Sequence, residues 1–376
     1  MTIAIIGGGP AGLYFALLVK KWRPEITVDL FERNGPDDTF GWGVVFSDKT
    51  LSYLKAEDVP SYEEITRRFE TWDNVDIVYR GEKITVGGNK FSGIARIEIL
   101  HILQERCKEL GVNLNFRTNI TDISSLGTYD LIVGADGINS EVRSQLRDEF
   151  KPNISTRPNR YIWYGTPHLF DGLTLTFREN GDGVFAAHSY KFNKSLSTFI
   201  VECDEDTWDT AGFANMDETA TRLYLQAVFK DDLDAAELLS NNSKWSNFLF
   251  VKNMQRYYKN VVLLGDSVAT VHFSIGSGTK LALEDAIALF HAMRENIDDG
   301  VADALAAFNT VRAPVVNEYQ EAAYDSLLFF EHLKDYTHLD PIPFAYKLMM
   351  RSGKVDHENL RKRDPAFVAK YENCVK

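Results

Sequence analysis

The first 22 residues, MTIAIIGGGPAGLYFALLVKKW, limit the possible folds more than any other stretch of the chain. Residues 3–6 form a short β-branched run that predicts a buried parallel strand. Residues 11–20 carry apolar side chains at helical spacing. Between them, Gly7, Gly9 and Gly12 form the GxGxxG pattern, which is informative only between a strand and a helix. The sequence therefore predicts a loop that binds the diphosphate of a nucleotide.

Each glycine of this loop has its own physical role. Gly7 permits a tight turn, Gly9 lets a diphosphate approach the backbone, and Gly12 lets the helix pack on the strand. The first helical turn, where Ala11 lies, offers unpaired N–H groups and the positive end of the helix dipole. These four residues are our first candidate cofactor contacts.

A second predicted strand, ITVDLFER, contains Glu32, twenty residues after Gly12. An acidic residue at this place accepts hydrogen bonds from an adenosine ribose. Glu32 and its neighbour Arg33 therefore join the candidate cofactor contacts. The alternative is a glycine-rich turn with a surface glutamate, and the loop alone does not distinguish FAD from NAD.

Three later segments also carry candidate residues. YDLIVGADGINSEVR predicts a strand over residues 130–133, and NVVLLGDSVATVHFSIGSGTKLALEDAIALFHAM predicts one over residues 261–264, a glycine loop and a long helix. FSGIARIEILHIL places an arginine at the start of another helix. The candidate residues in these segments are Arg96, Asp136, Asp266, Gly276, Gly278 and Thr279.

These three motifs, GxGxxG, GADGxxSxVR and Gly-Asp before a glycine loop, occur in an order that resembles the single-component flavin aromatic hydroxylases. This is the group of para-hydroxybenzoate hydroxylase, and the resemblance covers residues 1 to about 310. It implies that FAD is the cofactor. The family pattern is not complete, because Phe273 and Ser274 stand where the family often has proline, and Ala269 stands where many members have histidine.

The resemblance also implies a role for each downstream candidate. Asp266 would accept hydrogen bonds from the ribityl chain, and Asp136 would lie near the ribose and diphosphate. The helix that follows Gly276 and Gly278 would direct its N-terminus at the flavin pyrimidine edge, where reduced flavin is an anion. Arg96 would begin a helix that crosses the diphosphate. The alternatives are a helix N-cap for Asp266 and a surface ion pair for Arg96.

Four β-rich segments, RYIWYGTPHLF, LTLTFREN, GVFAAHSYKF and LSTFIVEC, predict an antiparallel sheet inserted between the Asp-Gly and Gly-Asp motifs. We therefore expect an α/β fold: a Rossmann-like FAD-binding domain, the inserted antiparallel-sheet substrate domain and a C-terminal helical region. The expected bounds are residues 1–60, 91–157 and 253–320 for the FAD-binding domain, 61–90 and 158–252 for the substrate domain, and 321–376 for the helices.

The predicted sheet carries polar-tipped side chains that are candidates for a substrate pocket. Side chains alternate along a strand, so only about half of them can face the pocket. The segment FGWGVVFSD, residues 40–48, resembles the family segment beside the flavin ring and supplies two more candidates. The candidate substrate-pocket residues are Phe46, Ser47, Trp163, Tyr164, His188 and Tyr190, of which we give Phe46, Ser47, His188 and Tyr190 a catalytic role.

Several segments, among them GWGVVFSDKTL, HFSIGSGTKLALEDA and ENLRKRDPAF, are similar to hydroxylases of aromatic CoA thioesters. RYIWYGTPHLF and STFIVEC are also similar to flavin hydroxylases of the violacein pathway. The resemblance implies an FAD-dependent monooxygenase that uses NADH or NADPH and O2 to hydroxylate an electron-rich ring through a flavin C4a-hydroperoxide. The expected substrate is an aryl-CoA thioester such as salicylyl-CoA. The alternatives are a free indole, tryptophan-derived or aromatic acid substrate, and a catalytically silent flavin-binding protein.

Charge adds one hint and several exclusions. Six basic residues near the C-terminus are candidates to bind the phosphates of CoA, although a solvated helix face is the alternative; they are Lys347, Arg351, Lys354, Arg361, Lys362 and Arg363. The net charge of −13 disfavours nucleic acid and anionic membranes as partners. We expect no metal site, no secretory leader and no membrane span, and the three scattered cysteines favour a cytoplasmic location. The sequence makes no prediction of oligomeric state.

Overall fold

Three β-sheets organise the part of the chain described by the computed structural model, which is residues 1–39 and 41–375, without the side chains of residues 47–51. The strands are β1 Thr2–Ile6, β2 Thr27–Glu32, β3 Gly43–Ser47, β4 Glu70–Trp72, β5 Val75–Tyr79, β6 Glu82–Val86, β7 Phe91–Ala95, β8 Asn113–Phe116, β9 Leu131–Gly134, β10 Pro152–Thr166, β11 Leu173–Asn180, β12 Gly183–Lys191, β13 Ser197–Cys203, β14 Ser246–Asn253, β15 Tyr257–Tyr258 and β16 Val261–Leu263.

Helices cover both faces of the sheets and form the C-terminal part of the chain. They are α1 Pro10–Trp22, α2 Asp48–Glu57, α3 Val59–Arg67, α4 Arg96–Glu109, α5 Glu141–Gln145, α6 Arg147–Phe150, α7 Glu205–Thr210, α8 Glu218–Val228, α9 Lys230–Leu233, α10 Gly278–Asn296, α11 Val301–Glu331, α12 Pro341–Met350, α13 His357–Arg363 and α14 Pro365–Cys374. No helix of the described residues is long and apolar enough to cross a bilayer.

The first sheet has the strand order β15-β16-β9-β1-β2-β8, and all its pairs except β15–β16 are parallel. The parallel arrangement is consistent with the sequence of the central strand, because β1 is apolar on both faces. Ile3 and Ile5 pack in the cluster with α1, α4 and α10, whereas Ala4 and Ile6 pack in the cluster on the opposite face. A strand that is buried on both faces is typical of a parallel sheet covered by helices. The predicted strands at both cofactor motifs are confirmed as β9 and β16.

The second sheet has the order β14-β10-β13-β12-β11-β5-β6 and is antiparallel except for the β11–β5 pair. Alternate residues of β12 pack into hydrophobic clusters on opposite faces of the sheet. Phe185 packs beneath α8 with Leu225, whereas Ala186 packs with Phe344 of α12. The third sheet, β3-β7-β4, lies beside the start of α4, because β7 ends at Ala95. The predicted fold class, with parallel-sheet, antiparallel-sheet and helical parts, is confirmed.

The C-terminal helices do not begin where the sequence placed them. Helix α11 runs from Val301 to Glu331 and passes through the expected boundary at residue 320 without a break. The helix continues because its apolar residues continue: Phe308 packs in the core of the first sheet, whereas Phe330 packs in that of the second. One helix therefore connects the two cores.

Asp58 links three helices next to the first sheet and is fully buried. Its carboxylate caps α3 by accepting a hydrogen bond from Ser61 N at 3.1 Å. It also pairs with Lys21 of α1 and Arg106 of α4, each at 3.2 Å. Burial works to raise the pKa of Asp58, but the hydrogen bonds from Arg106 and Ser61 outweigh it, so the pKa is lowered.

Replacing Asp58 by alanine should lower the free energy of unfolding by about 2–4 kcal/mol, because a helix cap is lost and two cations lose their shared partner. The pKa is lowered in the folded state, so this stabilisation is present above the unfolded value of about 3.9 and is lost as the pH falls through the folded value. Urea unfolding at pH 7 and pH 3 measures both effects. Glu109→Ala, which removes an exposed partner of Arg106, is the control and should change stability little. Equal losses for the two variants at pH 7 would contradict this account of Asp58.

Candidate functional site

The glycine loop after β1 combines close packing with one open position. Gly7 has φ +109°, and a Cβ there would lie 2.2 Å from the Ala135 carbonyl oxygen. A Cβ at Gly12 would lie 2.2 Å from the Gly7 carbonyl oxygen. A Cβ at Gly9 would meet no atom within 4 Å. Gly7 and Gly12 are therefore required by packing, whereas Gly9 adjoins open space at the N-terminus of α1.

Glu32 lies at the end of β2, as the sequence predicts, and its carboxylate contacts the glycine loop. Gly8 N donates a hydrogen bond to Glu32 Oε2 at 2.7 Å. Asn34 donates to Glu32 Oε1 from both its backbone and side-chain nitrogens at 2.8 Å. Glu32 therefore stabilises the loop itself, and its Oε2, which accepts a single hydrogen bond, has a second lone pair for a ligand. The neighbouring Arg33 is exposed.

Asp136 has one satisfied and one unsatisfied oxygen. Its Oδ2 accepts hydrogen bonds from Glu141 N at 2.7 Å and Val142 N at 3.2 Å, at the start of α5. Its Oδ1 is buried and has no hydrogen-bond partner among the described residues. Burial raises the pKa of this carboxyl. A buried acceptor without a donor is costly, so Asp136 is suited to accept a hydrogen bond from a ligand.

Asp266 and Arg96 interact electrostatically at the edge of the first sheet, where Asp266 is exposed and Arg96 is half-buried. Burial raises the pKa of Asp266, and Arg96 opposes that rise. Burial lowers the pKa of Arg96, opposed by Asp266 and Tyr190. Among the described residues, neither side chain makes a hydrogen bond or a direct ion pair, and the N-cap of α10 is Ser277. The alternatives, a helix cap for Asp266 and a surface ion pair for Arg96, therefore do not fit the structure.

The second glycine loop follows the turn Phe273–Ile275 and leads into α10. Gly276 adopts the left-handed conformation at φ +61°, and a Cβ there would lie 3.8 Å from Val45 of β3. A Cβ at Gly278, the first residue of α10, would meet no atom within 4 Å. The helix begins without a side-chain cap, so its first N–H groups are available to a ligand. Thr279, half-buried, is the next residue of this turn.

Direct contacts join these loops at the carboxyl ends of neighbouring parallel strands. Leu264 N donates to the Gly134 carbonyl at 2.9 Å, and Ser267 Oγ donates to the same carbonyl at 2.7 Å. Arg143 of the GADG segment donates to the Ser267 carbonyl at 2.9 Å. Because β1, β9 and β16 are adjacent, three motifs separated by more than 100 residues meet at one edge of the sheet. In α/β sheets this edge is where nucleotides bind.

Two substrate candidates share one face of the second sheet. His188 and Tyr190 are two residues apart on β12, so they point to the same side. Tyr190 Oη donates to the Gly43 carbonyl at 2.8 Å, which joins the sheet to β3, and burial raises the pKa of the Tyr190 hydroxyl. Trp163, on β10, lies against the segment just before β3, because a Cβ at Gly41 would lie 3.2 Å from its ring.

Two of the other substrate candidates occupy different places. Tyr164 belongs to the cluster beneath α8, on the opposite face of β10 from Trp163. Phe46 is 1% exposed and packs against Phe69 in the core around β1, so its side chain does not line a pocket, and the expectation of a catalytic role for it is not supported. The side chain of Ser47 lies outside the described residues.

The buried carboxylate of Glu202 connects the second sheet to the residues before the second glycine loop. Glu202 of β13 lies 3.3 Å from His188 Nε2 and 3.8 Å from His272 Nε2, and it accepts a hydrogen bond from Asn159 Nδ2 at 2.9 Å. Burial works to raise the pKa of Glu202, but His272, His188 and Asn159 outweigh it, and the pKa is lowered. Burial lowers the pKa of His272 to about 4. Glu202 is therefore ionised and His272 neutral at neutral pH.

His188 is oriented by this carboxylate. An ionised Glu202 only accepts hydrogen bonds, so Nε2 of His188 carries the hydrogen that faces it. Among the described residues no hydrogen bond is found for His188 Nδ1. This nitrogen is consequently an acceptor without a hydrogen-bond partner among the described residues, on the face of the second sheet that carries His188 and Tyr190.

A cleft of about 540 Å³ opens next to this region. Trp42, Phe69 and Phe192 contribute aromatic walls, and Trp42 also packs on β10, since a Cβ at Gly165 would contact its indole at 2.8 Å. The indole Nε1 of Trp42 is buried without a hydrogen-bond partner among the described residues. The exposed basic residues of the lining are Arg67, Arg68 and Lys194.

Comparison with known proteins identifies the family of this chain. The profile of the family described as "FAD binding domain" matches residues 128–323. The chain is 40% identical to salicyloyl-CoA 5-hydroxylase of a Streptomyces species over 98% of this chain and 72% of that protein. The chain belongs to the FAD-dependent aromatic monooxygenases. The expected resemblance, enzyme class and cofactor are thereby confirmed.

Further relatives of this monooxygenase differ in the substrate that they name. Protodeoxyviolaceinate monooxygenase of Chromobacterium violaceum is 34% identical over 92% of this chain and 93% of its own length. The 3-hydroxy-4-methyl-anthranilyl-[aryl-carrier protein] 5-monooxygenase of Streptosporangium sibiricum is 31% identical over 89% and 90%. The structure of P. aeruginosa PqsL in complex with 2-aminobenzoylacetate shares the fold, with a TM-score of 0.72 at 19% identity over 90% of this chain and 98% of that one.

The residues at the sheet edge fit FAD. The unsatisfied Oδ1 of Asp136, the open positions at Gly9 and Gly278 and the Arg96–Asp266 pair all lack partners that a long ligand with hydroxyl and phosphate groups would supply. The sequence led us to each of these residues. It did not lead us to Glu202 or His272. The only available signal was a charged residue within the apolar strand segment STFIVEC.

Replacing Asp266 by alanine in this monooxygenase should weaken FAD binding by about 1–3 kcal/mol, because a carboxylate acceptor near the expected ribityl position is lost. Titration of the apoprotein with FAD, followed by flavin fluorescence, measures the change. Asp299→Ala removes an exposed carboxylate at the far end of α10 and should leave the affinity unchanged. If both variants bind FAD like the parent protein, Asp266 does not contact the cofactor.

Proposed function

We propose that this monooxygenase hydroxylates an electron-rich aromatic ring that is carried as a thioester on a phosphopantetheine arm, with salicylyl-CoA as the first candidate. NADH or NADPH and O2 are the expected co-substrates. The observation that carries the proposal is the chemistry shared by two relatives: one names a CoA thioester and the other an aryl-carrier protein. Both present an aromatic acid on the same kind of arm. The three cysteines are free thiols, which favours a cytoplasmic location.

The geometry of the sheet edge supports a set of proposed FAD contacts. We assign the diphosphate to the N-terminus of α1, the adenosine ribose to Glu32 with Arg33 nearby, and the flavin to the N-terminus of α10. The complete set of proposed contacts is Gly7, Gly9, Ala11, Gly12, Glu32, Arg33, Arg96, Asp136, Asp266, Gly276, Gly278 and Thr279. Bound FAD supplies the redox chemistry with O2, while these residues orient the cofactor and stabilise its negative charge.

His188 is the proposed proton acceptor for the ring substituent. Its Nε2 is held by ionised Glu202, so its Nδ1 is the basic nitrogen, and it lies on the substrate face of the sheet. A ring hydroxyl that donates its hydrogen to this nitrogen becomes more electron-rich, which favours electrophilic attack on the ring. Tyr190 acts at a distance from this step, because its hydroxyl already donates to Gly43. Its proposed role is to hold β3 against the sheet.

The cleft lined by Trp42 is the proposed path for the arm. Lys194 makes no ion pair among the described residues, whereas Arg67 and Arg68 pair with Glu64, and Arg68 also pairs with Glu98 at 3.0 Å. The C-terminal basic cluster is less suitable than the sequence indicated. Arg361 is paired with Glu358 and Glu372, Lys354 is paired with Glu318, and Arg363 donates to Asn89.

Salicylyl-CoA should be hydroxylated much faster than free salicylate, because binding energy from the arm positions the ring and raises kcat as well as lowering KM. The assay compares salicylyl-CoA, anthranilyl-CoA, salicylate and tryptophan and measures hydroxylated product against O2 consumed. Lys194→Glu should raise KM for the CoA thioester and leave FAD affinity unchanged.

Each outcome of this comparison has a clear meaning. Efficient hydroxylation of a free acid or an indole, with inert thioesters, would contradict the proposal and favour a violacein-type substrate. NAD(P)H consumption that no aromatic compound stimulates would indicate a catalytically silent flavoprotein. Peroxide without product would show that the compound tested is not the substrate.

Replacing His188 by glutamine should lower kcat with the preferred substrate by about 10²–10⁴-fold at neutral pH, because the proton acceptor is lost. The rate should recover as the pH approaches the pKa of the substrate hydroxyl, since the substrate then ionises without help. Rates from pH 6 to pH 10 test this. His168→Gln, a change of a histidine outside this network, is the control. A uniform loss of rate at every pH would assign His188 a role in packing only.

A further inference from the structure

A half-buried arginine, Arg351, lies behind the second glycine loop. Arg351, the residue after α12, donates hydrogen bonds to Ser326 Oγ at 2.9 Å, Leu348 O at 2.7 Å and Ser274 O at 2.8 Å. All three acceptors are neutral, and among the described residues Arg351 makes no direct ion pair. Burial lowers its pKa to about 10, with Glu202 opposing that shift, so it remains a cation at neutral pH.

These hydrogen bonds connect the C-terminal helices to one turn of the chain. Ser326 lies near the C-terminal end of α11, and Ser274 lies in the turn Phe273–Ile275. Ser326 Oγ also contacts Ser274 Oγ at 2.8 Å, and Ser274 Oγ contacts His272 Nδ1 at 2.8 Å. The turn is therefore held by its backbone carbonyl and by its side chain, in both cases through groups that meet at Arg351.

The stability of the fold does not by itself account for this arrangement. Arg351 is a partly desolvated cation without a carboxylate partner, and hydrogen bonds to neutral groups recover the free energy of that desolvation only in part. The position of the turn offers a reason. It lies immediately before Gly276, whose left-handed conformation directs the chain into the N-terminus of α10. A displaced turn would therefore redirect the N–H groups of residues 276–279.

We propose that Arg351 is a positioning residue of the flavin site: its guanidinium fixes the turn Phe273–Ile275 so that the N-terminus of α10 points at the flavin. This inference rests on the proposed placement of FAD against residues 276–279. It gives the C-terminal helices a role in the flavin site, although none of their residues is proposed to touch the cofactor.

Arg351→Gln should raise the dissociation constant of FAD at least about tenfold, because a charge-assisted hydrogen bond that orders the loop is lost. It should also change the visible absorbance bands of the bound flavin. Arg351→Lys keeps a donor for the Ser274 carbonyl and should recover part of the affinity. Ser326→Ala removes the bridging hydroxyl only and should give a smaller loss. The measurements use the full chain, with FAD removed and then titrated back.

Arg157→Gln is the matched control. Arg157 is a partly buried arginine that ties α11 to β10 through Glu331, with Nε 2.9 Å from Oε1, and among the described residues no hydrogen bond or ion pair joins it to the turn. It should lower the melting temperature without changing FAD affinity or the flavin spectrum. If it weakens FAD as much as Arg351→Gln does, general destabilisation is the cause and the proposal is wrong. If Arg351→Gln does not fold, Arg351→Lys and Ser326→Ala decide, and normal FAD binding by both overturns the proposal.

A separate variant keeps the two proposals distinguishable. Gly278→Val places a branched side chain in the open space before α10 and should block FAD. Normal FAD binding by this variant would refute the placement of the flavin, and the inference about Arg351 with it. Loss of FAD by Gly278→Val together with an unaffected Arg351→Gln would overturn the role of Arg351 alone.

Discussion

The close backbone contact between Gly7 and Ala135 is the constraint on which the rest of the site depends. A Cβ at Gly7 would lie 2.2 Å from the Ala135 carbonyl oxygen, so the turns after β1 and β9 meet without an intervening side chain. The hydrogen bond from Leu264 N to Gly134 O adds the turn after β16. Three loops thereby reach one edge, and each brings a feature that a cofactor would complete: an open helix N-terminus, a carboxylate with one buried unpaired oxygen, or the electrostatic partner of Arg96.

Polar and charged groups at the edge of the first sheet lack partners within the described residues. Asp136 Oδ1 is buried without a donor, and half-buried Arg96 interacts with exposed Asp266 without a direct bond. A buried acceptor without a donor costs about 1–3 kcal/mol. Hydroxyl and phosphate groups of FAD are of the chemistry that would satisfy them, so the binding free energy of the cofactor is coupled to the stability of the folded chain. We therefore regard these residues as a site that is complete only with its ligand.

Local spacing explains what the sequence could predict. GxGxxG, GADG and Gly-Asp each report a strand, a turn and a helix within a short window, and the structure brings them together because adjacent parallel strands end at one edge. Contacts between distant residues carry no such signal. His188 meets Glu202 because β12 pairs with β13, and Arg351 reaches Ser274 across 77 residues. Phe46 was chosen because its segment resembles the one beside the flavin ring in the family. That resemblance does not reveal which side of β3 each side chain faces, and Phe46 faces the core.

A chain of polar side chains connects the second sheet, the second glycine loop and the C-terminal helices. Glu202 interacts with His188 on one side and His272 on the other, and His272 continues through Ser274 and Ser326 to Arg351. A change in the charge of His188 acts on Glu202 at 3.3 Å in a region of low dielectric constant, where electrostatic effects are large. Because His272 lies four residues before Gly276, the proposed proton transfer to His188 would also change the electrostatic environment of the proposed flavin loop. The proposed proton acceptor is thus connected to that loop through side chains.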